Sequence, residues 1–282
     1  MSKITIGLDN TADLGDELNK KHGFKMVNMG VVIGDKIYKD CDLTPQDIYD
    51  AVEKQNIVPK TNAALETDYQ ELFENATKNG GEIIHFSIGD KLSASHGNAK
   101  RAAMRLERAT VIDSKHLSVA TGMLAMKAKE MFDEGKSVTE VVEKVNIMRD
   151  KIEMGFIIND LKYLYKGGRV TGLKLLGANL LKIRPSLEMN DGKLVPGKKF
   201  KGDFAKAVKE YSKFRIDQAG GMNAIDDAYC IIGHSDIDEA IIQGFEKDMQ
   251  DAGFKKVIRL MVGTTITTHC GRNTVGLAFV RK

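Results

Sequence analysis

Apolar runs and polar, cap-bearing stretches alternate through the first half of the chain. KITIGLD (3–9), VNMGVVIG (27–34), EIIHFSIG (82–89) and ATVIDS (109–114) read as buried strands. The helices between and after them have recognisable starts. Thr44 precedes Pro45 at a first helical position, Thr67 precedes DYQELFENATK, and Ser137 with Glu140 three residues on forms a capping box. Val138, Val141, Val142, Val145, Met148 and Ile152 make one apolar stripe at helical spacing. This order predicts an α/β layer on a mainly parallel sheet, with GDKIYKD (34–40) added as a small hairpin.

After residue 155 the pattern changes. FIIND and the glycine-containing helical stretch GLKLLGANLLK lead into RPSLEMNDGKLVPGKKF, where Asn190-Asp191-Gly192 is a hairpin signal. AYCIIGHS (228–235), KVIRLMVG (256–263) and VGLAFVRK (275–282) follow as strands. The expected fold class is therefore α/β with two domains. Residues 1–155 form a mainly parallel, three-layer α/β domain, and residues 156–282 form an α+β domain with a partly antiparallel sheet.

Composition removes several classes of function. With 282 residues, 42% of them hydrophobic, the chain can build an ordinary core. Lys and Arg number 42 against 39 Asp and Glu, a net charge of +3 that supplies no basic field for nucleic acid. Cys41, Cys230 and Cys270 are far apart and form no CxxC pair, which fits reduced thiols in a cytoplasm. MSKITIGLDN carries no signal-peptide core and no run reaches the length of a membrane span, so the expected location is cytoplasmic.

Four stretches are richer in small polar residues than turns of their length require: LDNTADLG (8–15), PKTNAA (59–64), KLSASHGN (91–98) and TTITTHCGRN (264–273). Ligands of open parallel sheets collect beyond the carboxyl ends of the strands, so the first three are candidate walls of one site. Taken singly, Thr11, Thr61 and Ser93 also read as ordinary caps or turn residues. A serine nucleophile needs a base in reach and usually a sharp turn; GxSxG is absent around Ser93, Ser95 and His96, and His96 reads as a surface or packing residue. His269 sits among Thr264, Thr265, Thr267 and Thr268 in an expected glycine-bounded loop with no second metal ligand at the usual spacing, a setting suited to an anion or to backbone carbonyls. KGGRV (166–170) lacks the spacing of a phosphate loop, and Lys198, Lys199 and Lys201 of KKFKG read as a solvated face or a contact for an acidic partner.

In order, LDNTADL, a Pro-x-Thr near residue 60, KLSASHGNA, VIDSKHLSVATG, YLYKGGRV, KFKG and THCG followed by GLAFV resemble the DegV family along nearly the whole chain. The resemblance implies a two-domain α/β protein that binds one long-chain fatty acid between its domains, is no enzyme itself, uses no cofactor, and presents the acid to a separate fatty acid kinase subunit. It implies that Thr61, Asn62, Ser93 and His269 hold the carboxylate and that Arg169 and Lys201 face the kinase or the transferred phosphate. The acyl chain is expected in a tunnel of the second domain, with LKLLGANLLKI (173–183) and SLEM (186–189) among its walls, in a monomer.

The chain departs from the family pattern at several points. Asn10 stands where Ser is usual, Ala63-Ala64 where Gln-Pro is common, Ala94-Ser95 where Gly-Thr is usual, Lys201 where Arg is common, and Arg272-Asn273 where Pro-Gly follows the glycine. A reshaped loop after His269 is expected. Asp113, Ser114 and Lys115 are read as strand-end structure. Two other functions fit the residues: a serine-dependent acyl hydrolase, and a carrier of another amphipathic acid with no kinase partner.

Overall fold

The computed structural model describes residues 3–170 and 183–282. The first half runs β1 (Ile4–Asp9), α1 (Gly15–His22), β2 (Lys25–Val27), β3 (Gly30–Ile33), β4 (Lys36–Lys39), α2 (Pro45–Glu53), β5 (Lys60–Asn62), α3 (Glu66–Thr77), β6 (Glu82–Ser87), α4 (Ser95–Ala103), β7 (Ala109–Asp113), α5 (Val119–Asp133) and α6 (Val138–Met148). The second half runs β8 (Ile152–Ile158), α7 (Lys162–Gly167), β9 (Ile183–Asn190), β10 (Lys193–Lys201), α8 (Phe204–Gln218), β11 (Cys230–His234), α9 (Glu239–Ala252), β12 (Val257–Met261), α10 (Thr264–Cys270) and β13 (Thr274–Val280).

These strands make a parallel sheet β2-β1-β6-β7, a mixed sheet β10-β9-β8-β13-β11-β12 and a small antiparallel sheet β4-β3-β5. In the mixed sheet only β11 and β12 run parallel. The result is the expected mixed α/β fold class, with a parallel and a partly antiparallel sheet. The expected division at residue 155 falls inside β8.

Helix α5 occupies the middle. It packs on β1 and β6 of the parallel sheet and on β8, β11 and β13 of the mixed one, and Val119, Ala120, Met123, Leu124 and Ala125 are all fully buried. A helix apolar on nearly every side is one wrapped by other elements. The approach to α1's entry is close: a Cβ on Gly122 would lie 2.6 Å from the Leu14 side chain and 2.7 Å from the Ala12 carbonyl oxygen. On the far side of the mixed sheet, α8 and α9 close a second core around Phe200, Tyr211, Phe245 and Phe279.

Local chemistry explains where the elements differ from expectation. VNMGVVIG is two strands in two sheets. The Met29 N–H donates to the Asn10 side chain at 2.9 Å and the Met29 carbonyl accepts from the Asp40 N–H at 3.0 Å, so no strand ladder can continue through it. Helix α3 begins at Glu66, because the Leu65 N–H donates to the Asp68 carboxylate at 3.0 Å; Thr67 is inside its first turn. Ile152 belongs to β8, where it pairs with Val280, and not to the stripe of α6. Helix α2 starts after Thr44 and the capping box of Ser137 with Glu140 forms, both as expected; Thr44 also makes a capping box with Asp47, and the turn at Asp191 (φ 47°) and Gly192 (φ 73°) closes the β9–β10 hairpin.

Candidate functional site

Between the carboxyl end of the parallel sheet and the mixed sheet lies a narrow cavity, with about 80 Å³ of free interior and about 870 Å³ when all the space between its walls and the open solvent at its mouth are counted. The turns after β6 and β7 contribute Ile88, Leu92, Ser93, Leu117 and Ser118; β5 contributes Thr61; β8, β10, β11 and β13 contribute Met154, Phe156, Leu194, Gly233 and Gly276; and α10 contributes Thr265, Ile266 and His269. Its walls are mostly apolar, and Thr61, Ser93, Arg169 and His269 are among the polar residues that line it. That is the usual make-up of a site for an amphipathic small molecule.

Within the lining, Thr61 Oγ1 and His269 Nε2 are 2.9 Å apart. Alternation along β5 decides which neighbour joins them. Thr61 faces the cavity, whereas Asn62 is exposed and lines a separate cleft with Asn28, Ile37 and Leu65. The stretch expected as a loop around His269 is helix α10, with Thr264, Thr265, Thr267 and Thr268 buried. Burial, reinforced by the nearby Arg169 cation, pushes the His269 imidazole down to about 4, so the ring is neutral at pH 7. Its Nδ1 is buried, has no partner among the described residues and faces Gly167, where a Cβ would lie 2.3 Å away. A bare lone pair there is less costly than a bare N–H, which favours the tautomer with the proton on Nε2, donating to Thr61. The Thr61 hydroxyl proton is then free to point into the cavity.

Ser93 lies just before α4, which begins at Ser95. Its Oγ donates to Ser95 Oγ at 3.0 Å and accepts the Ser95 N–H at 3.2 Å. His96 does not reach toward Ser93; its Nδ1 is 2.8 Å from Ser87 Oγ. A base–nucleophile pair of His96 with Ser93 or Ser95 is therefore not assembled. Arg169 is exposed at the cavity, with Nη1 donating to the Gly167 carbonyl at 2.7 Å. Lys201 is exposed at the end of β10 and outside the lining.

LDNTADLG contributes no lining residue and holds the frame instead. Asp9, fully buried, accepts from Tyr69 Oη at 2.7 Å and from the Ile88 N–H at 2.9 Å, with His85 Nε2 at 3.0 Å. Of the expected tunnel walls, Leu187 of SLEM is buried in the core, none of residues 186–189 lines the cavity, and residues 173–182 lie outside the described residues. The lining draws on both halves of the chain and not on the second alone.

The departure at Arg272 has a definite structure. Its guanidinium stacks 3.8 Å over the Tyr49 ring, donates to Glu53 at 3.0 Å and pairs with Asp236, tying the end of α10 to α2 and to the turn after β11. Gly271, at φ 67°, takes the Tyr163 ring so closely that a Cβ would lie 2.4 Å from it. Sequence reading also passed over Ser118, a cavity residue at φ 53°, together with Asp13 and Asp40; their partners are a hundred or more residues away.

The family model described as "Uncharacterised protein, DegV family" matches residues 3–282. The chain belongs to the DegV family. A DegV domain-containing protein of Caldanaerobacter subterraneus subsp. tengcongensis is 29% identical over 287 residues, covering 100% of both chains. A solved DegV-family structure from Thermus thermophilus, described by its fatty acid binding, superposes with a TM-score of 0.89 at 24% identity, covering 99% of this chain and 100% of that one. A DegV lipid binding protein from Thermotoga maritima superposes with a TM-score of 0.86 at 25% identity, covering 99% and 98%. Among the described residues of this DegV chain, no helix is long and apolar enough to cross a membrane, and no group of three or more His, Cys, Asp or Glu is placed to hold a metal ion.

Proposed function

We propose that the cavity holds one long-chain fatty acid, its carboxylate at Thr61, Ser93 and His269, and that the protein presents this acid to a separate kinase subunit for acyl-phosphate formation. The observation that carries the reading is the contact of the Thr61 hydroxyl with the His269 imidazole in the wall of a mostly apolar cavity that Ser93 and Arg169 also line. An ionised carboxylate in apolar surroundings needs donors: the Thr61 hydroxyl supplies one, Ser93 supplies another by turning its proton from Ser95 Oγ, and the Arg169 cation supplies charge. The acyl chain supplies most of the affinity, since each buried CH₂ contributes about 0.8 kcal/mol, on the order of 10 kcal/mol gross for a C16 tail before ordering costs. The lipid ligands named for the Thermus and Thermotoga relatives support the same class of ligand.

On this reading the chain forms two units that divide at the entry to β8, with the carboxylate at their junction, and the protein acts as a monomer in the cytoplasm. Asn62, facing the neighbouring cleft, is left out of the carboxylate site. Arg169 and Lys201, both exposed, face the kinase. The test is mass spectrometry of an organic extract of the purified protein. A stoichiometric C14 to C20 acid supports the proposal; an empty protein, or another amphipathic acid at stoichiometry, overturns it.

A further inference from the structure

The contact between Thr61 and His269 joins β5 to α10, two elements with no peptide link nearer than 200 residues, so something must fix α10 against the small sheet that carries Thr61. Helix α10 has only seven residues, four of its first five are threonine, and β-branched side chains are poor helix formers. A helix so short does not hold itself in place.

Two carboxylates meet at its start. Asp40 follows β4 directly; its Oδ2 accepts from the Thr265 N–H at 2.5 Å and from Thr265 Oγ1 at 2.6 Å, and its carbonyl accepts from Thr264 Oγ1 at 3.2 Å. Asp13, in the turn between β1 and α1, accepts from the Gly263 N–H at 2.8 Å through Oδ1 and from Ser118 Oγ at 2.5 Å through Oδ2. Gly263 makes the convergence possible. A Cβ there would lie 3.2 Å from Asp13 Oδ1 and 3.4 Å from Asp40 Oδ1.

The connections run on to both members of the site. The Asp40 N–H donates to the Met29 carbonyl at 3.0 Å, just before β3, and β3 pairs Val31 with Thr61. His269 lies four residues after Thr265, one turn along the same face of α10. Ser118, held by Asp13, is itself a cavity residue and the N-cap of α5. We propose that Asp13 and Asp40 are positioning residues for the carboxylate site: together they fix α10 so that His269 meets Thr61, and Asp13 at the same time sets Ser118 and the start of α5. Two acids crowded at one glycine are a poor choice for stability alone. Burial first, and then the neighbouring Asp40 carboxylate, push Asp13 up to about 7.

The ligand part of the test rests on the fatty acid reading; the spectroscopic part does not. Palmitate is titrated into delipidated full-length protein carrying Asp40→Asn, His269→Asn or both, and the His269 ring ¹⁵N signals of the Asp40→Asn protein are recorded without ligand. Asp40→Asn is expected to weaken palmitate binding about tenfold beside an intact His269 and less than twofold in the His269→Asn background, and to shift the His269 signals away from those of the parent protein. Equal losses in both backgrounds, with unshifted His269 signals, reduce Asp40 to general support and overturn the inference. If the parent protein binds no palmitate, the fatty acid reading fails, and the ligand-free ring signals alone decide. Should Asp40→Asn not fold, Asp13→Asn takes its place: asparagine tolerates the φ of 50° at that position and keeps an acceptor for Gly263. The same pattern of coupling is expected from it, and its absence counts against the pair.

Discussion

Thr61 and His269 stand 208 residues apart in the chain and 2.9 Å apart in space, side chain to side chain. The pair joins an edge strand of the small sheet to a threonine-rich helix beside the mixed sheet, and both residues line the cavity.

Removing one hydroxyl should weaken binding without unfolding the protein. Thr61→Ala and Ser93→Ala are each expected to cost about 1 to 3 kcal/mol of fatty-acid affinity, the loss of a donor to a charged acceptor. Titration calorimetry on delipidated protein measures it, and unchanged affinity in both variants would place the carboxylate elsewhere.

The neutral, buried imidazole sets a pH dependence. His269 falls from its ordinary 6.5 to about 4 in the folded protein, so the stability it contributes is present above 6.5 and is lost as pH falls toward 4. Asp13, raised from 3.8 to about 7, works in the opposite sense: its contribution is present at low pH and is lost as pH rises from 3.8 toward 7. His269→Asn removes only the first effect. Relative to the parent, the variant should gain on the order of 3 kcal/mol as pH is lowered from 6.5 to 4, measured by denaturant melts at constant ionic strength. A flat difference contradicts burial of a neutral ring.

A bound carboxylate should reverse part of that shift. With an anion beside the ring, the His269 pKa should rise above its ligand-free value, and binding should strengthen on acidification only across the window between the two. NMR titration of the ring with and without palmitate reads both values; identical curves remove His269 from the site.

Gly167 leaves no room for a side chain, since its Cβ would come within 2.3 Å of His269 Nδ1. Gly167→Ala should push the ring away from Thr61 and lower fatty-acid affinity about tenfold, roughly 1.4 kcal/mol. Wild-type affinity in this variant would show that the ring position does not matter to the ligand.

The basic residues at the surface should separate holding the acid from passing it on. Lys201→Ala, outside the cavity, is expected to leave lipid binding within about 0.5 kcal/mol, while acyl-phosphate formation with a cognate kinase falls at least tenfold, about 1.4 kcal/mol in the barrier; Arg169→Ala, in the cavity lining, is expected to weaken both. Assays on lipid-loaded protein at several salt concentrations decide it; full phosphorylation removes the docking role, and loss of lipid in Lys201→Ala moves that residue into the pocket.

The strands and the Asn190-Asp191-Gly192 hairpin were legible because apolar runs and turn chemistry are local signals. Helix α10 was not. TTITTHC has the composition of a strand or loop, and what makes it helical is the set of bonds from Gly263 and Thr265 to Asp13 and Asp40, more than 220 residues earlier. Thr61, Ser93 and His269 could be chosen from sequence only through the family resemblance, and no local pattern separates Thr61 from Asn62 until β5 turns one toward the cavity and the other away. Arg272 was visible as a departure, but its stacking on Tyr49 depends on the packing of α2.

The most direct test is a crystal structure of delipidated protein reloaded with a single fatty acid. The account predicts a carboxylate oxygen within about 3 Å of Thr61 Oγ1 and Ser93 Oγ, His269 still bonded to Thr61, and the acyl chain running past Leu117, Phe156 and Ile266. A carboxylate bound away from these hydroxyls, or an acyl chain outside the cavity, would contradict it.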